Sequence, residues 1–313
     1  MLFCACTVIQ AQTPPIMPDT TVLYAQKDGL DLYMDIYQPS SDGNTYNATE
    51  KPTIMFAFGG GFQFGRRNDF SYIEWFKRLT ENGYRVVSID YRLGMKGYTT
   101  KGVKMLKQYI SSIYLAVEDM YSATEFLIEN PICGINANNI VLSGSSAGAI
   151  TSLTADYMLY NGKLKLSNLP QDFKYAGVMS FAGGVLSMKG SFKYSGGAAP
   201  TFLEHGTKDI IVSYKKIGIG DIGVQGSKKI ARKMKKQDLN YCIYRYKDKS
   251  HEISGNMNNS FDLQLQFLEK NVMQGKKYIV DATISDPDLK PIPGLGSRKD
   301  LKKYGKNQHH NKQ

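Results

Sequence analysis

One serine, one acid and one histidine stand out as candidates for acyl-transfer chemistry, each just past a stretch that reads as a β-strand. Ser146 is the centre of Gly144-Ser145-Ser146-Ala147-Gly148. An apolar run, Asn139-Ile140-Val141-Leu142, precedes it, and a helix-compatible run, Ala149 to Leu159, follows. A Gly-x-Ser-x-Gly turn between strand and helix puts its serine on a sharp, strained, exposed corner. The glycines let the chain turn where other backbone packs close by. Such a serine is a candidate nucleophile, and its attack on a carbonyl needs a base, most often histidine. The chain has 4 histidines. His309 and His310 lie in a basic C-terminal stretch and read as solvent residues. His205 follows a strand-like run in Glu204-His205-Gly206-Thr207-Lys208-Asp209, and His251 follows another in Lys249-Ser250-His251-Glu252. Ser146, Asp209 and His251 appear in the order nucleophile, acid, base. Strand ends on one edge of a parallel sheet are where open α/β proteins bind ligands. Asp248 is a weaker rival for the acid, and His205, which precedes Asp209, is expected to anchor that loop.

Acyl transfer also needs donors aimed at the developing oxyanion. One is expected from the backbone N–H of Ala147, directly after the serine. The others are expected from Phe58-Gly59-Gly60-Gly61-Phe62, after an earlier apolar run, with Gly60 and Gly61 as donors. A phosphate loop is a poor alternative, because Gly-x-x-x-x-Gly-Lys-Ser/Thr is absent.

The elements that must position these groups follow from the hydrophobic pattern. Thr21 to Ala25 and Leu30 to Tyr37 flank Asp28-Gly29 and read as a hairpin. Thr53 to Phe58 is a continuous apolar run, as expected of a strand buried on both faces, and Tyr84 to Tyr91 reads as another buried strand. Residues 70–82 suit a helix. Residues 92–108 read as a long loop, and Tyr109 to Ile128 as a long helix stopped by Asn130-Pro131. Tyr175 to Phe181, Pro200 to Glu204 and Asn240 to Tyr246 are further strands, with helices near 226–238 and 260–273. Strands alternating with helices imply a mostly parallel sheet covered on both faces, an α/β architecture with an N-terminal antiparallel hairpin. Trp75, the single tryptophan, lies among Ile73, Phe76 and Leu79 and reads as core.

A length of 313 residues suits one large α/β domain, here placed at 20–280. The net charge is +11, and residues 289–313 hold seven Lys/Arg against one Asp. That stretch is rich in Pro, Gly and Lys, and residues 283–313 are expected to be a flexible basic tail. The lysines between Lys228 and Lys236 read as the solvated face of a helix. No nucleic-acid motif accompanies them. No run is long and apolar enough for an integral membrane segment. Met1 to Gln12 is apolar and uncharged and ends Ile9-Gln10-Ala11-Gln12. Residues 1–11 are expected to be a signal-peptide remnant, which points to a secreted or periplasmic protein. Cys4 and Cys6 lack a lipobox, and Cys133 and Cys242 are expected to be buried thiols rather than a disulfide.

Taken together the chain resembles an α/β-hydrolase of the esterase/lipase group with the HGGG-type oxyanion loop. The matching pieces are Gly59-Gly60-Gly61-Phe62, Ser88-Ile89-Asp90-Tyr91-Arg92-Leu93, Asn139 to Gly148, His205 to Asp209 with Val212 and Tyr214, and Ser250-His251. They span roughly residues 30–273. The resemblance implies hydrolysis of a carboxylic ester through an acyl-enzyme, with Ser146, Asp209 and His251 as the triad and neither cofactor nor metal. It implies a small-molecule or carbohydrate ester as substrate, such as acetyl or feruloyl groups on plant polysaccharides. One departure stands out: Phe58 occupies the position of the family's histidine before the three glycines. Arg66-Arg67 could steer an acidic substrate, but pairing with Asp69 or Asp90 is the expected role. The segment 92–112 could cap the site. Two other readings keep part of this picture: a serine peptidase on the same fold, and a non-catalytic binding protein on a hydrolase scaffold.

Overall fold

The computed structural model describes residues 16–40, 51–161, 167–188, 192–219 and 222–289. The expected signal remnant, Cys4, Cys6, His309, His310 and most of the basic tail lie outside the described residues.

Strands β1 (Thr20–Lys27) and β2 (Leu30–Tyr37) form the expected hairpin, closed by Asp28 and Gly29 at positive φ. Strand β3 (Thr53–Ala57), helix α1 (Phe70–Glu81), strand β4 (Arg85–Ile89) and helix α2 (Gly102–Glu129) follow. Strand β5 (Ile140–Ser145) leads directly into helix α3 (Ala147–Tyr160), and β6 (Gly177–Phe181) and β7 (Gly184–Ser187) come next. The remainder comprises β8 (Thr201–Gly206), β9 (Lys216–Ile219), β10 (Ile222–Gly226), α4 (Ser227–Lys236), β11 (Tyr241–Tyr246), α5 (Phe261–Phe267) and β12 (Val280–Ile284). A 9-stranded sheet runs β1-β2-β4-β3-β5-β6-β8-β11-β12. Its hairpin is antiparallel to β4, and every pairing from β4 to β12 is parallel. Every residue of β3, β4, β5, β6 and β8 is buried, and β3 accordingly reads as a continuous apolar run.

Aromatic side chains fill one face of the sheet. Trp75 is fully buried against Phe56 and Phe181, and its indole N–H donates to Gln264 Oε1 at 2.8 Å. On α4 the buried residues are Ser227, Ile230, Ala231 and Met234, so its lysines form the expected solvated face. Arg92 fixes the connection after β4. Its guanidinium donates to Asp119 (2.7 Å), Glu118 (2.7 Å) and Asp28 (2.6 Å), and its backbone N–H also donates to Asp119.

The structure departs from the sequence expectations in three places. Helix α2 starts at Gly102, inside the expected loop 92–108. Every residue from Gly102 to Lys107 is exposed and no side chain caps the helix, so its first two turns carry no burial or capping signal. A 3-stranded antiparallel sheet, β7-β10-β9, was not expected. Its strands are short, and Gly218 and Gly223 face each other where a Cβ would lie 2.1 Å from the partner strand's carbonyl. Finally, β12 crosses the expected boundary at 280. It pairs in parallel with β11, and Lys247 N–H donates to Ile284 O at 2.8 Å, so residues up to Ile284 belong to the sheet. Cys133 and Cys242 are free thiols; Cys242 is buried as expected, whereas Cys133 is half-buried.

Candidate active site

The turn from β5 into α3 has no room for a side chain at either glycine. A Cβ on Gly144 would sit 2.3 Å from the Gly148 backbone, and one on Gly148 would sit 2.0 Å from Ala57 O at the end of β3. Between them Ser146 takes φ 51° and ψ −110°, a conformation that non-glycine residues rarely hold. The elbow is held open by Ser146 N–H donating to Phe181 O (2.9 Å) and Ile150 N–H donating to Ser146 O (3.0 Å). Ser146 is 8% exposed, so only a small part of it faces solvent.

Three strand ends converge on this serine. Ser146 Oγ lies 2.8 Å from His251 Nε2, and His251 Nδ1 lies 2.7 Å from Asp209 Oδ2. Asp209 leaves the end of β8, and His251 begins a 3₁₀ turn, His251–Gly255, after β11. The two loops touch: a Cβ on Gly206 would sit 2.1 Å from Ser250 O, so only glycine lets the acid loop approach the base loop. Ser145 Oγ donates to Ser254 O at 2.8 Å and ties the elbow to the same 3₁₀ turn. Asp248, the rival acid, is paired with Lys208 on the surface.

The other carboxylate oxygen, Asp209 Oδ1, accepts backbone N–H bonds from Ile211 (2.8 Å) and Val212 (3.1 Å). Burial opposes ionisation of Asp209. Hydrogen bonds and charge from His205 and His251 outweigh it and hold the carboxyl well below the usual carboxylate range. The carboxylate is therefore charged and orients the imidazole so that Nε2 faces the serine. His205 has the anchoring place expected of it. Fully buried, its Nδ1 lies 2.8 Å from Ser227 Oγ, and its Nε2 lies 2.9 Å from Val212 O and 3.3 Å from Asp209 Oδ2.

The expected oxyanion loop, Gly59 to Phe62, packs on the elbow. A Cβ on Gly59 would come 3.1 Å from Ser145 Oγ. Gly59 N–H donates to Tyr72 Oη at 3.0 Å, whereas among the described residues no acceptor meets the N–H groups of Gly60, Gly61 or Ala147. Ala147 opens α3, so its N–H has no intrahelical acceptor. Gly60 and Gly61 hold φ of 124° and 64°, and a Cβ on Gly60 would strike Phe64 O at 2.0 Å.

Phe58 brings a brace that sequence reasoning missed. Its ring stacks on Tyr91 with centroids 4.3 Å apart, and Tyr91 Oη donates to Phe58 O at 2.8 Å. Burial raises the Tyr91 phenol well above its ordinary range, so it remains a neutral donor. Tyr91 lies in a motif that the resemblance picks out, but no local signal in the sequence links Tyr72 to Gly59. Arg67 pairs with Asp90 (2.6 Å) as expected, and also with Asp35 (3.0 Å), which the sequence did not suggest. Asp69 instead caps α1. Among the described residues no cluster of His, Cys, Asp or Glu could hold a metal ion.

The chain is similar to several known proteins. The family model described as BD-FAE matches residues 34–185. Similar proteins include Lipase 2 of Moraxella sp. (strain TA144), 29% identical over 140 residues, which are 43% of this chain and 28% of that protein. Gut esterase 1 of Caenorhabditis elegans is 30% identical over 105 residues, 33% of this chain and 17% of that protein. Non-reducing polyketide synthase nvfA of Aspergillus novofumigatus (strain IBT 16806) is 35% identical over 88 residues, 28% of this chain. The chain thus spans only 4% of that synthase's length and under a third of the lipase's. Among solved structures, a thermophilic esterase of the planctomycete Thermogutta terrifontis, Est2, superposes with a TM-score of 0.58 at 18% identity, covering 80% of this chain and 91% of that one. The same esterase phosphorylated by paraoxon gives 0.55 at 18% identity, covering 82% and 98%.

Proposed function

We propose that the chain, which has the fold of the solved esterases, is a serine esterase of the α/β-hydrolase kind cleaving carboxylic esters through an acyl-enzyme. The observation that carries this reading is the continuous hydrogen-bonded line from Ser146 through His251 to Asp209. In the proposed reaction Ser146 Oγ attacks the ester carbonyl carbon as His251 Nε2 takes its proton. The carbonyl oxygen gains the charge and is held by the N–H groups of Gly60, Gly61 and Ala147. Collapse of the tetrahedral intermediate breaks the ester C–O bond, and His251 returns the proton to the departing alcohol. Water, deprotonated by the same imidazole, then attacks the acyl carbon, and the acyl–Oγ bond breaks as His251 returns the proton to Ser146 Oγ and the acid is released. Asp209, kept charged by its environment, stabilises the imidazolium at both steps.

The proposed substrates are acetyl or feruloyl esters on polysaccharides, acted on outside the cytoplasm. The lipase and esterase relatives support ester chemistry over peptide chemistry. Against a non-catalytic binding protein stands the Tyr91–Phe58 brace, which supports the oxyanion loop despite the absent histidine. The test is turnover of p-nitrophenyl esters from acetate to octanoate, plus a feruloyl ester, by wild type and Ser146→Ala. Wild type should turn over at least the short esters. The variant should lose about 10⁶-fold in kcat, as knocking out a triad serine does. A variant that retained turnover would refute the assignment.

A further inference from the structure

The first two turns of α2 stand outside the fold and carry an unusual surface. Between Asp90 and Glu118 the chain has no acidic residue. Within that window Lys101, Lys104 and Lys107 are exposed on or beside the first two turns, and Lys96 precedes them. Val103 is 71% exposed, Met105 45% and Leu106 38%. Val103 and Leu106 continue at helical spacing into Ile110, Ile113, Val117 and Met120, the last three fully buried. One apolar stripe thus leaves the core and runs on uncovered. The uncapped helix N-terminus adds positive potential to the lysines instead of being countered by an acid.

This surface lies on the site's own edge of the sheet. Helix α2 follows the C-terminal end of β4, as the oxyanion loop follows β3 and Asp209 follows β8. Tyr109, one turn further along α2, packs its ring against Phe62 at 5.5 Å, directly after Gly61. Two other exposed large apolar residues, Phe70 (75%) and Ile210 (56%), leave strand ends on that edge too. Of the acids on the same edge, Asp90 is paired with Arg67 and Asp69 caps α1, while others stand at its far side. Asp248, Asp286 and Asp288 follow β11 and β12, and with Glu252 the last two line a separate cavity of about 410 Å³.

We propose that the N-terminal turns of α2 dock the protein on an anionic lipid surface. Lysines alone would fit any polyanion. Exposed Val103, Met105 and Leu106 between them fit a bilayer interface, where apolar side chains enter and ammonium groups remain among the headgroups. The docked orientation turns the edge that carries Ser146 toward the bilayer; that part rests on the esterase reading, whereas docking itself does not.

The test is co-sedimentation of the full chain with phosphatidylcholine vesicles, with and without phosphatidylglycerol. Turnover of a soluble p-nitrophenyl ester is followed in parallel. Binding should require phosphatidylglycerol and weaken as salt rises. Lys101→Gln, Lys104→Gln and Lys107→Gln should each weaken it about fivefold. The pair Val103→Ser and Leu106→Ser should weaken it while charge is unchanged. Soluble-ester turnover should be unaltered in all of these variants. Loss of turnover in the wild type would count against the esterase reading and leave docking standing. Docking is overturned if wild type does not sediment, if it binds neutral and anionic vesicles equally, or if the lysine variants bind like wild type. Binding that is insensitive to Val103→Ser with Leu106→Ser, yet is competed away by a soluble polyanion, would also overturn it in favour of an acidic polymer.

Discussion

Ser146 Oγ and His251 Nε2 meet at 2.8 Å although the two residues are 105 positions apart. Their types, and that of Asp209, were legible because nucleophile, acid and base chemistry admits few side chains. The groups that hold them in place were less legible. His205 could be assigned to the acid loop from its neighbourhood, but its partners, Ser227 and the Val212 carbonyl, come from tertiary packing. Tyr72 and Tyr91 are two tyrosines among 21, and nothing local marks them as supports of the oxyanion loop. Tyr91→Phe retains the stack on Phe58 and removes the donor to its carbonyl. Steady-state kinetics should show kcat reduced with KM little changed, by less than the roughly 10²-fold that loss of an oxyanion donor costs. An equal rise in KM with kcat intact would mean that the brace serves substrate binding instead.

At the scale of elements, agreement is best where a strand is buried on both faces. Strands β3, β4 and β5 announce themselves through the apolar stretches Ile54 to Ala57, Val86-Val87 and Ile140 to Leu142, because every residue in them is buried. Elements at the margin do not. The start of α2 is all exposed, and β12 alternates between half-buried and exposed along an edge. Yet β12 bears on the site. Asp281 accepts from Arg245 at 2.6 Å on the neighbouring strand, and Leu289 O accepts from Lys249 Nζ at 2.5 Å, two residues before His251. Ending the chain after Leu289 should leave melting temperature and ester turnover unchanged. Ending it before Val280 should expose the edge of β11, lower the melting temperature and reduce turnover by loosening the base loop. Thermal melts of the two truncations decide this; equal melts would show that β12 contributes nothing to the fold.

For the molecule as a whole, buried acids away from the triad tie stability to pH. Burial raises Glu204 to about 8 although Ser260 and Tyr246 hydrogen-bond to it, and burial raises Asp156 to about 7. Both acids keep their protons in the folded state at pH values where the unfolded chain, with carboxyl groups near 4, has released them. The stability they contribute is therefore complete below about pH 4 and is lost as pH rises through about 7 to 8. Denaturant melts should show wild type weakening from pH 5 to 8, and Glu204→Gln should flatten the part of that slope due to Glu204. An unchanged slope would mean that Glu204 does not titrate in this range. Such couplings follow from which side chains the fold encloses. By itself the sequence determined the strand-and-helix alternation, the strained serine turn and the order of the three candidate residues. These follow from hydrophobic period, glycine's freedom at the elbow and the narrow choice of side chains for acyl transfer. Only the tertiary structure decided which atoms meet, that Tyr91 braces the loop after Phe58, that β12 closes the sheet and that a basic, apolar helix end stands uncovered on the same edge as Ser146. Those outcomes depend on contacts between segments far apart in the chain, and no local pattern of residues encodes a long-range contact.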